Sequence, residues 1–365
     1  MRDEMLTLSI VVPAFNEAHR ITDRAVLLNE AAAAGDIDPF TTEVIVVDDG
    51  STDETARRAE QLLSPSFPTL RILQLRRNSG KGAAIRVGAA AAAAPFVAFM
   101  DADMSVDPAQ IPLLMAAMEG ADIAIGSRSM MDSTIESHSP HRIVMGRAFN
   151  FLANALTNVG LKDTQCGFKA FRTPVARILF HLMVVDRFAF DVDVLSLARR
   201  LGMEISEVPV EWREAGDSTV RPLSDSVSMA LDLLRIPLRR KRPNIPALEV
   251  GTGPRAGEIV RLAPNFRKTD PIVPLSHDRA LLLLPLCSLD EINGAAIRLG
   301  SSATVHKRFV SCGELMEMMP LDWPVADGGR TNTARSLRLE RRRRSTVHVR
   351  QYAGVGAQPL SRLEA

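Results

Sequence analysis

Two carboxylates separated by one residue, Asp101 and Asp103, give this sequence its clearest potential for chemistry. In an extended backbone, residues i and i+2 point to the same side, so both carboxylates would face one cavity. That arrangement is costly unless a cation lies between them, and oxygen ligands suit Mg²⁺ or Mn²⁺, with diphosphate oxygens completing the shell. The spacing therefore predicts a divalent metal site, with an Asp-rich turn as the alternative.

A second acidic cluster spans residues 48–53, Asp-Asp-Gly-Ser-Thr-Asp. A carboxylate of Asp48 or Asp49 could accept hydrogen bonds from a base or a ribose, and Gly50 permits close approach of the backbone. The alternative is a helix cap in a tight turn.

Farther along, Lys81 lies between two glycines at the start of a predicted helix, a setting that suits an anionic phosphate. A loop with a solvated lysine is the alternative at that position.

Several common motifs are absent from the sequence. Residues 12–17, Val-Pro-Ala-Phe-Asn-Glu, lack the G-x-G-x-x-G pattern of NAD-binding turns, and residues 78–82 do not form a Walker A loop. There is no G-x-S-x-G nucleophile elbow. The three cysteines have neither zinc-ligand spacing nor the pattern of a disulfide framework, which fits a reducing compartment.

The acidic clusters each follow a predicted strand. The predicted strands are 8–12, 43–47, 70–75, 96–100 and 122–126, and the predicted helices between them are 17–34, 52–63, 81–94 and 110–118. This alternation predicts an α/β fold with a mostly parallel central sheet and helices on both faces. Ligands bind beyond the carboxyl ends of such strands, which is where residues 13–17, 48–53 and 101–103 fall.

The second half is less regular. Helices are predicted at 142–159, 186–200 and 223–238, and a strand at 204–212. The apolar stripe of 223–238 and the four basic residues after it suit a helix lying on anionic lipid, with a core-packing helix as the alternative. No apolar run is long enough to span a membrane, and the N-terminus has no signal-peptide pattern.

Composition and charge describe an ordinary globular protein with no nucleic-acid partner, since 46% of residues are hydrophobic, 24% are charged and the net charge is +1. After Pro243 the periodicity is lost and the chain becomes more basic, as in an added tail. The sequence therefore predicts a catalytic domain over residues 1–242. Residues 243–365 are predicted to be a linker and a C-terminal extension of uncertain structure, small or partly disordered.

Taken together, the motifs have a recognisable order. The segments 10–17, 48–53, 80–82 and 101–103 resemble the family 2 glycosyltransferases, which have the GT-A fold. Four later segments resemble the dolichyl-phosphate β-glucosyltransferase branch of that family, with dolichyl-phosphate mannosyltransferases as near neighbours; they are Gly126–Arg128, Asp163–Lys169, Phe190–Asp193 and Glu207–Trp212. The resemblance covers about residues 6–242 and does not extend to the remainder.

The resemblance implies a role for each matching position. The nucleoside end of the donor would be bound by Pro13, Asn16, Glu17, Asp48 and Asp49. The catalytic residues would be Asp101 and Asp103, which hold the metal and diphosphate, Arg128 at the rim, and Lys169. The remaining substrate-binding positions would be Lys81 near the nucleotide, Gln165 and Lys169 near the donor sugar and phosphates, and Arg142 and Arg147 near the acceptor phosphate.

Two positions carry open alternatives. Asp193 is a candidate for substrate binding or for a general base, with a structural role as the favoured alternative. The branch usually has Gly-Ser-Lys after its Trp-containing strand, whereas this chain has Asp217-Ser218-Thr219. Either the cation has moved to Arg221 or a phosphate contact is weakened.

The activity implied by the resemblance is inverting, metal-dependent transfer of a hexose, with UDP-glucose favoured, to a polyprenyl or dolichyl phosphate. A phosphomonoester has a second pKa of about 6, so such an acceptor needs positioning arginines more than a base. The enzyme would be cytoplasmic and peripheral at the inner face of the membrane, and its oligomeric state is not predicted. Three alternatives stay open: a GDP-mannose donor, a soluble hydroxyl acceptor, and a degenerate module without catalysis.

Overall fold

The structure is a computed structural model, and it describes residues 5–136 and 140–214 together with shorter segments up to residue 315. The shorter segments are 229–234, 236, 244–251, 272–274, 279–287, 292–293, 304–312 and 314–315. The strands are β1 (Leu8–Ala14), β2 (Thr42–Asp48), β3 (Leu70–Gln74), β4 (Phe96–Met100), β5 (Ile123–Ser127), β6 (Thr134–Glu136), β7 (Phe168–Arg172), β8 (Ile205–Pro209), β9 (Glu211–Arg213), β10 (Ile245–Gly251), β11 (Ile272–Pro274), β12 (Arg279–Leu283) and β13 (Thr304–Val310). The helices are α1 (Ala18–Ala34), α2 (Thr55–Leu63), α3 (Lys81–Ala91), α4 (Ile111–Ala117), α5 (Pro140–Thr157), α6 (Thr173–Leu182) and α7 (Phe190–Arg200).

A seven-stranded sheet with the order β3-β2-β1-β4-β7-β5-β8 forms the centre of the molecule. Strands β3, β2, β1 and β4 are parallel to one another, and β5 and β8 are parallel to each other. Strand β7 runs antiparallel to both of its neighbours, β4 and β5. The predicted α/β fold with a mostly parallel central sheet is confirmed.

Helices cover both faces of this sheet. Successive residues of a strand point to opposite faces, so Val11 and Ile45 pack with Ala84 of α3 and Leu179 of α6 on one side. Their neighbours in the same two strands pack on the other side against α1, α2 and α4. Because both faces are buried, β1 and β2 read in sequence as continuous apolar runs rather than as alternating ones.

The C-terminal region has its own small sheet. Within the described residues, four antiparallel strands lie in the order β11-β12-β10-β13. Ile245, Leu281 and Val310 belong to the same buried apolar cluster as α6. His181 of α6 contacts this region through both ring nitrogens. Its Nε2 lies 2.8 Å from the Asn244 carbonyl oxygen, and its Nδ1 accepts a hydrogen bond from the Leu286 amide at 3.2 Å. The described part of the predicted extension therefore packs against the main core.

The helix predicted at 223–238 is described only in part. Residues 229–234 and 236 are helical, and Leu233 and Ile236 are buried beside α5 and α7. Leu231 and Leu234, which belong to the predicted apolar stripe, are about half exposed. Over the parts of the chain that the structure describes, no helix combines the length and apolar character needed to cross a membrane.

Candidate active site

The predicted site residues of the first half gather at the carboxyl edge of the parallel strands. Ala14, at the end of β1, is in register with Asp48 at the end of β2. Asp101 follows directly after β4, the other neighbour of β1. Pro13 is buried as the penultimate residue of β1. The parallel topology therefore brings together side chains that are far apart in sequence, as ligand sites of such sheets require.

Asp101 and Asp103 lie in a tight turn after β4. The Met104 amide donates to the Asp101 carbonyl at 3.0 Å, and the Ser105 amide donates to Asp103 Oδ1 at 3.0 Å. Met104 takes a left-handed backbone conformation, with φ 45°. A pocket beside this turn is lined by residues that include Asp101, Gly167 and Trp212. The turn thus places Asp101 at the wall of a pocket, with Asp103 two residues farther along the same turn.

Lys81 neutralises one of these carboxylates. It is the first residue of α3, and its Nζ lies 2.5 Å from Asp101 Oδ1. Burial alone would lower the pKa of Lys81, but the carboxylates of Asp101 and Asp191 outweigh that effect and the pKa is raised. Lys81 is therefore held as a cation at the helix start, where the helix dipole adds to its positive field.

The other carboxylates at this edge crowd one another. Burial, together with the charge of Asp101, raises the pKa of Asp103. Burial also raises the pKa of Glu17 despite its ion pair with Arg20, and the charge of Asp103 adds to that rise. Like charges brought together in a half-buried space disfavour ionisation, so a bound cation would be stabilised here.

The fit of this edge to a divalent cation rests on two carboxylates. Within residues 5–136, 140–214 and the shorter described segments, no set of three or more His, Cys, Asp or Glu side chains is arranged to hold a metal ion. Mg²⁺ is usually bound by one or two carboxylates, with water and substrate phosphate oxygens filling its other positions. Asp101 and Asp103 fit that kind of donor set.

Asp49 holds the loop that carries Lys81. Its two carboxylate oxygens accept hydrogen bonds from the amides of Ser79 and Gly80, both at 2.8 Å. Gly80 has φ 106°, and a Cβ atom there would overlap the carbonyl group of Asp186, so the loop needs glycine. Burial raises the pKa of Asp49 although the two amides oppose that effect. Asp49 thus sets where α3 begins.

Asp48 and Asn16 tie two neighbouring turns together. Asp48 accepts from the Ser51 amide at 2.9 Å and from Gln74 Nε2 at 3.2 Å. Asn16, with φ 53°, accepts from the Thr52 amide at 2.9 Å through its side-chain oxygen. These bonds connect the turn after β1 to the turn after β2. Residues 48–53 therefore form a connection held by side-chain hydrogen bonds, and Asp48 borders the edge of the site.

Arg128 forms a two-pronged ion pair. Its Nε and Nη2 lie 2.7 and 3.0 Å from the two oxygens of Asp163, and its guanidinium lies 5.8 Å from the ring centroid of Trp212. Burial would raise the pKa of Asp163, but Arg128 lowers it to about 2. The Gln165 amide donates to the same carboxylate at 3.0 Å. Arg128 is thereby fixed against the loop that contains Gln165.

Lys169 points into the core. Its side chain is 1% exposed, and its Nζ lies 2.7 Å from Asp191 Oδ1 and 2.6 Å from the Cys166 carbonyl. Asp191 was not singled out from the sequence as a site residue, although it lies in the quoted segment 190–193. Asp193 Oδ2 accepts from the amides of Val184 and Val185, at 2.7 and 3.2 Å, which is the contact pattern of the structural alternative.

Three predicted residues cannot be placed in the site. Arg142 and Arg147 fall within α5, but their side chains lie outside the described part of the structure. Arg221 lies outside the described residues altogether. Their role at an acceptor phosphate stays a prediction.

Known proteins resemble this chain in both sequence and fold. The model of the family Glycosyl transferase family 2 matches residues 9–180. The dolichyl-phosphate beta-glucosyltransferase of Dictyostelium discoideum is 37% identical over 245 residues, which are 64% of this chain and 74% of that protein. The chain belongs to glycosyl transferase family 2. This family member is a glycosyltransferase, as its motifs predicted, and it is similar to the dolichyl-phosphate β-glucosyltransferase branch.

A second relative and a solved structure are also similar to this chain. The dolichyl-phosphate beta-glucosyltransferase of Homo sapiens is 35% identical over 246 residues, or 64% of this chain and 75% of that protein. A crystal structure of glucosyl-3-phosphoglycerate synthase from Mycobacterium tuberculosis, in complex with Mn²⁺, UDP and glucosyl-3-phosphoglycerate, has a TM-score of 0.47 and 24% identity. It covers 64% of this chain and 80% of that one.

Proposed function

We propose that this family 2 glycosyltransferase transfers glucose from UDP-glucose to a polyprenyl or dolichyl phosphate, with inversion at the anomeric carbon. The observation that carries the proposal is the convergence of Asp101, Asp103 and Lys81 at the carboxyl edge of the sheet. Two acidic groups beside a fixed cation suit a cation-bound diphosphate. Similarity to the dolichyl-phosphate β-glucosyltransferases supports the choice of sugar and acceptor.

A Mg²⁺ or Mn²⁺ ion would be held by Asp101 and Asp103. When bound, such an ion supplies positive charge that stabilises the leaving nucleotide diphosphate. Lys81 supplies a second positive charge from the start of α3, and Asp49 keeps that start in place. The nucleoside would lie over the ends of β1 and β2, near Pro13, Asn16, Glu17 and Asp48.

The acceptor phosphate attacks without the need for a strong base. At neutral pH a phosphomonoester is largely dianionic, since its second pKa is about 6. One phosphate oxygen forms a bond to the anomeric carbon while the bond from that carbon to the diphosphate breaks, and the electron pair leaves with the diphosphate. Attack from the opposite face inverts the configuration. Arg142, Arg147 and Arg221 are the cations proposed to position the acceptor.

Peripheral membrane contact would come from an apolar face beside α5. Phe151 is 76% exposed, and Met145 and Leu152 on the same helix are also exposed. Leu231 and Leu234 are about half exposed on the neighbouring helical segment. Apolar side chains on helices that lie flat suit the boundary between lipid headgroups and acyl chains. We propose that this face meets the cytoplasmic side of a membrane that contains the lipid acceptor.

The test is sugar transfer to a polyprenyl phosphate in detergent from labelled UDP-glucose and, in parallel, from labelled GDP-mannose. Each donor is assayed with Mg²⁺, with Mn²⁺ and with a chelator. Lipid-linked label from UDP-glucose alone, lost on chelation, is the expected result. Lipid-linked label from GDP-mannose alone would show that the donor is GDP-mannose and not UDP-glucose. Transfer to a soluble hydroxyl acceptor in the absence of lipid would contradict the proposed lipid-phosphate acceptor. Binding of the donor without any transfer would favour a module without catalysis.

A further inference from the structure

A chain of alternating charges runs from the surface turn at Asp101 into the core. Asp101 pairs with Lys81, and Lys169 pairs with Asp191. The two pairs are linked, because the charge of Asp191 acts on Lys81 as well as on Lys169. Four separate elements contribute to this chain: the turn after β4, the start of α3, strand β7 and the first turn of α7.

The inner pair also controls a backbone contact with Asp101. In the antiparallel register of β4 and β7, Phe99 lies opposite Lys169 and Met100 opposite Phe168, so Gly167 falls beside Asp101. A Cβ atom at Gly167 would overlap Asp101 Oδ2. The Lys169 amine is bonded to the carbonyl of Cys166, the residue immediately before this glycine. Lys169 therefore fixes the backbone that touches the Asp101 carboxylate.

Asp191 fixes the other end of the arrangement. It lies in the first turn of α7, whose Phe190 packs against Gly82 near the start of α3. The Lys81 amine lies 6.0 Å from the centre of the Phe190 ring. Any shift of the Asp191 carboxylate would thus change the position of Lys169 and the packing of the helix start that carries Lys81.

Stability alone does not account for this buried pair. Replacing a buried ion pair by apolar side chains of similar volume is often neutral or stabilising, whereas removing one partner is strongly destabilising. The side chains of Lys169 and Asp191 are 1% and 5% exposed, so substrate would have no direct access to either charge. Their contacts lead instead to the two groups that meet the diphosphate.

We propose that Asp191 and Lys169 are positioning residues for the transfer reaction: together they set the place of the Asp101 carboxylate and of the Lys81 amine. This rests on the proposed role of Asp101 in holding the metal and diphosphate. It gives Lys169 an indirect role in place of the direct contact with the donor that the sequence predicted, and it adds Asp191 to the functional residues.

The test removes both charges at once, in the full chain, as Lys169→Met with Asp191→Leu. Thermal melting, kcat with UDP-glucose, and Mn²⁺ affinity in the presence of UDP, measured by electron paramagnetic resonance, are compared with the wild type. Groups that orient metal ligands typically change affinity or activity by about 10- to 100-fold. We expect wild-type melting with a kcat and a Mn²⁺ affinity reduced on that scale.

The control is Arg177→Met, which removes another buried cation, one that donates to the Ala92 carbonyl at the opposite end of α3 from Lys81. It should lower the melting temperature and leave kcat and Mn²⁺ affinity unchanged. A double variant whose kcat and Mn²⁺ affinity both match those of the wild type would overturn the proposal.

Two further results keep the test decisive. If the double variant does not fold, Asp191→Asn replaces it, because an amide keeps the shape and can still accept a hydrogen bond from Lys169 but carries no charge. Wild-type kcat and Mn²⁺ affinity in that variant would overturn the proposal equally. If the wild type transfers no glucose, the proposed function fails, whereas the effect of the variants on Mn²⁺ binding with UDP still decides the positioning role.

Discussion

The two halves of the central sheet hold several of their charged groups in different ways, although the first half also contains the ion pairs of Lys81 with Asp101 and of Glu17 with Arg20. In the half formed by β1 to β4, the carboxylates of Asp48, Asp49 and Asp53 accept hydrogen bonds mainly from backbone amides of adjacent loops. In the half formed by β7, β5 and β8, charged side chains bind each other, as in Arg128 with Asp163 and Lys169 with Asp191.

This difference separates shape from charge. A carboxylate bound to amides fixes the course of the backbone, so the form of the half with β1 to β4 does not depend on a ligand. We call it the donor half, after the place proposed for the nucleotide sugar. An ion pair depends on both partners keeping their charge, so the second half responds to pH and to loss of either charge. Lys81 is where the two meet, since a loop held by Asp49 places it and carboxylates from both halves surround it.

The largest expected effect is on catalysis, from Asp103→Ala in the donor half. The Asp103 side chain bonds only within its own turn among the hydrogen bonds described here, to the Ser105 amide, so the fold should persist. Loss of a metal ligand removes several kcal/mol of transition-state stabilisation, which corresponds to a fall in kcat of about 10³-fold or more. Steady-state transfer assays and thermal melting together measure the two effects.

Asp107→Ala is the matched control for that variant, because Asp107 lies on the same loop and, within the described structure, its side chain accepts a hydrogen bond only from the Ala109 amide. It should lose about 1 kcal/mol of stability as a lost cap and keep its turnover. Full activity in Asp103→Ala would show that Asp103 is not a metal ligand. It would also contradict the proposal that the donor half is a preformed binding site.

The next effect is on stability in the second half, where Asp163→Asn removes one charge from the pair with Arg128. The folded pKa of Asp163 is about 2 against an ordinary value of 3.8. A lowered folded pKa gives stability that is present above the unfolded pKa and lost as pH falls through the folded one. The shift corresponds to about 2 kcal/mol at neutral pH.

Urea unfolding at a series of pH values measures this contribution. The free energy of unfolding of the wild type should exceed that of Asp163→Asn by about 2 kcal/mol at pH 7. The difference should shrink between about pH 4 and pH 2, where the wild-type carboxyl also becomes neutral. A difference that does not change with pH would assign the loss to altered packing and would weaken the contrast between the two halves.

The sequence predicted the donor half well because its signals are local. Buried parallel strands read as apolar runs, and each run ends in a polar turn at the edge of the sheet, as at Val47–Asp48 and Met100–Asp101. The alternation of strands and helices then predicts a mostly parallel sheet, although not the order of its strands. The same pattern predicts that residues 13–17, 48–53 and 101–103 lie at one edge of the sheet, whereas the place of Lys81 is implied only by the family resemblance.

The second half was harder to predict because its structure depends on long-range pairing. Strand β7, Phe-Lys-Ala-Phe-Arg, was interpreted only as part of a motif, and nothing local reveals that it is inserted antiparallel between β4 and β5. The burial of Lys169 follows from that insertion, since Asp191 meets it across 22 residues of sequence. A lysine in an otherwise apolar strand was the one available signal of a buried partner.

The smallest expected effect concerns the outer face of the second half, where Phe151→Ser tests membrane contact. Burying a phenylalanine side chain is worth about 1.5–3 kcal/mol, and partial burial at an interface about half of that. Binding of the full chain to anionic vesicles, measured by sedimentation, should therefore fall by about tenfold or less. Transfer to a short, water-soluble polyprenyl phosphate should be unchanged, because the Phe151 side chain is 76% exposed and is not part of the buried core.

Phe40→Ser is the matched control, since Phe40 is 65% exposed in the loop between α1 and β2, in the donor half. If both variants bind vesicles as the wild type does, the apolar face beside α5 is not the membrane contact. If both lose binding equally, the interaction is not confined to that face. Loss in Phe151→Ser alone would add a further asymmetry to the two halves: the donor half holds its ligand by shape, and the second half meets the lipid by an exposed apolar surface.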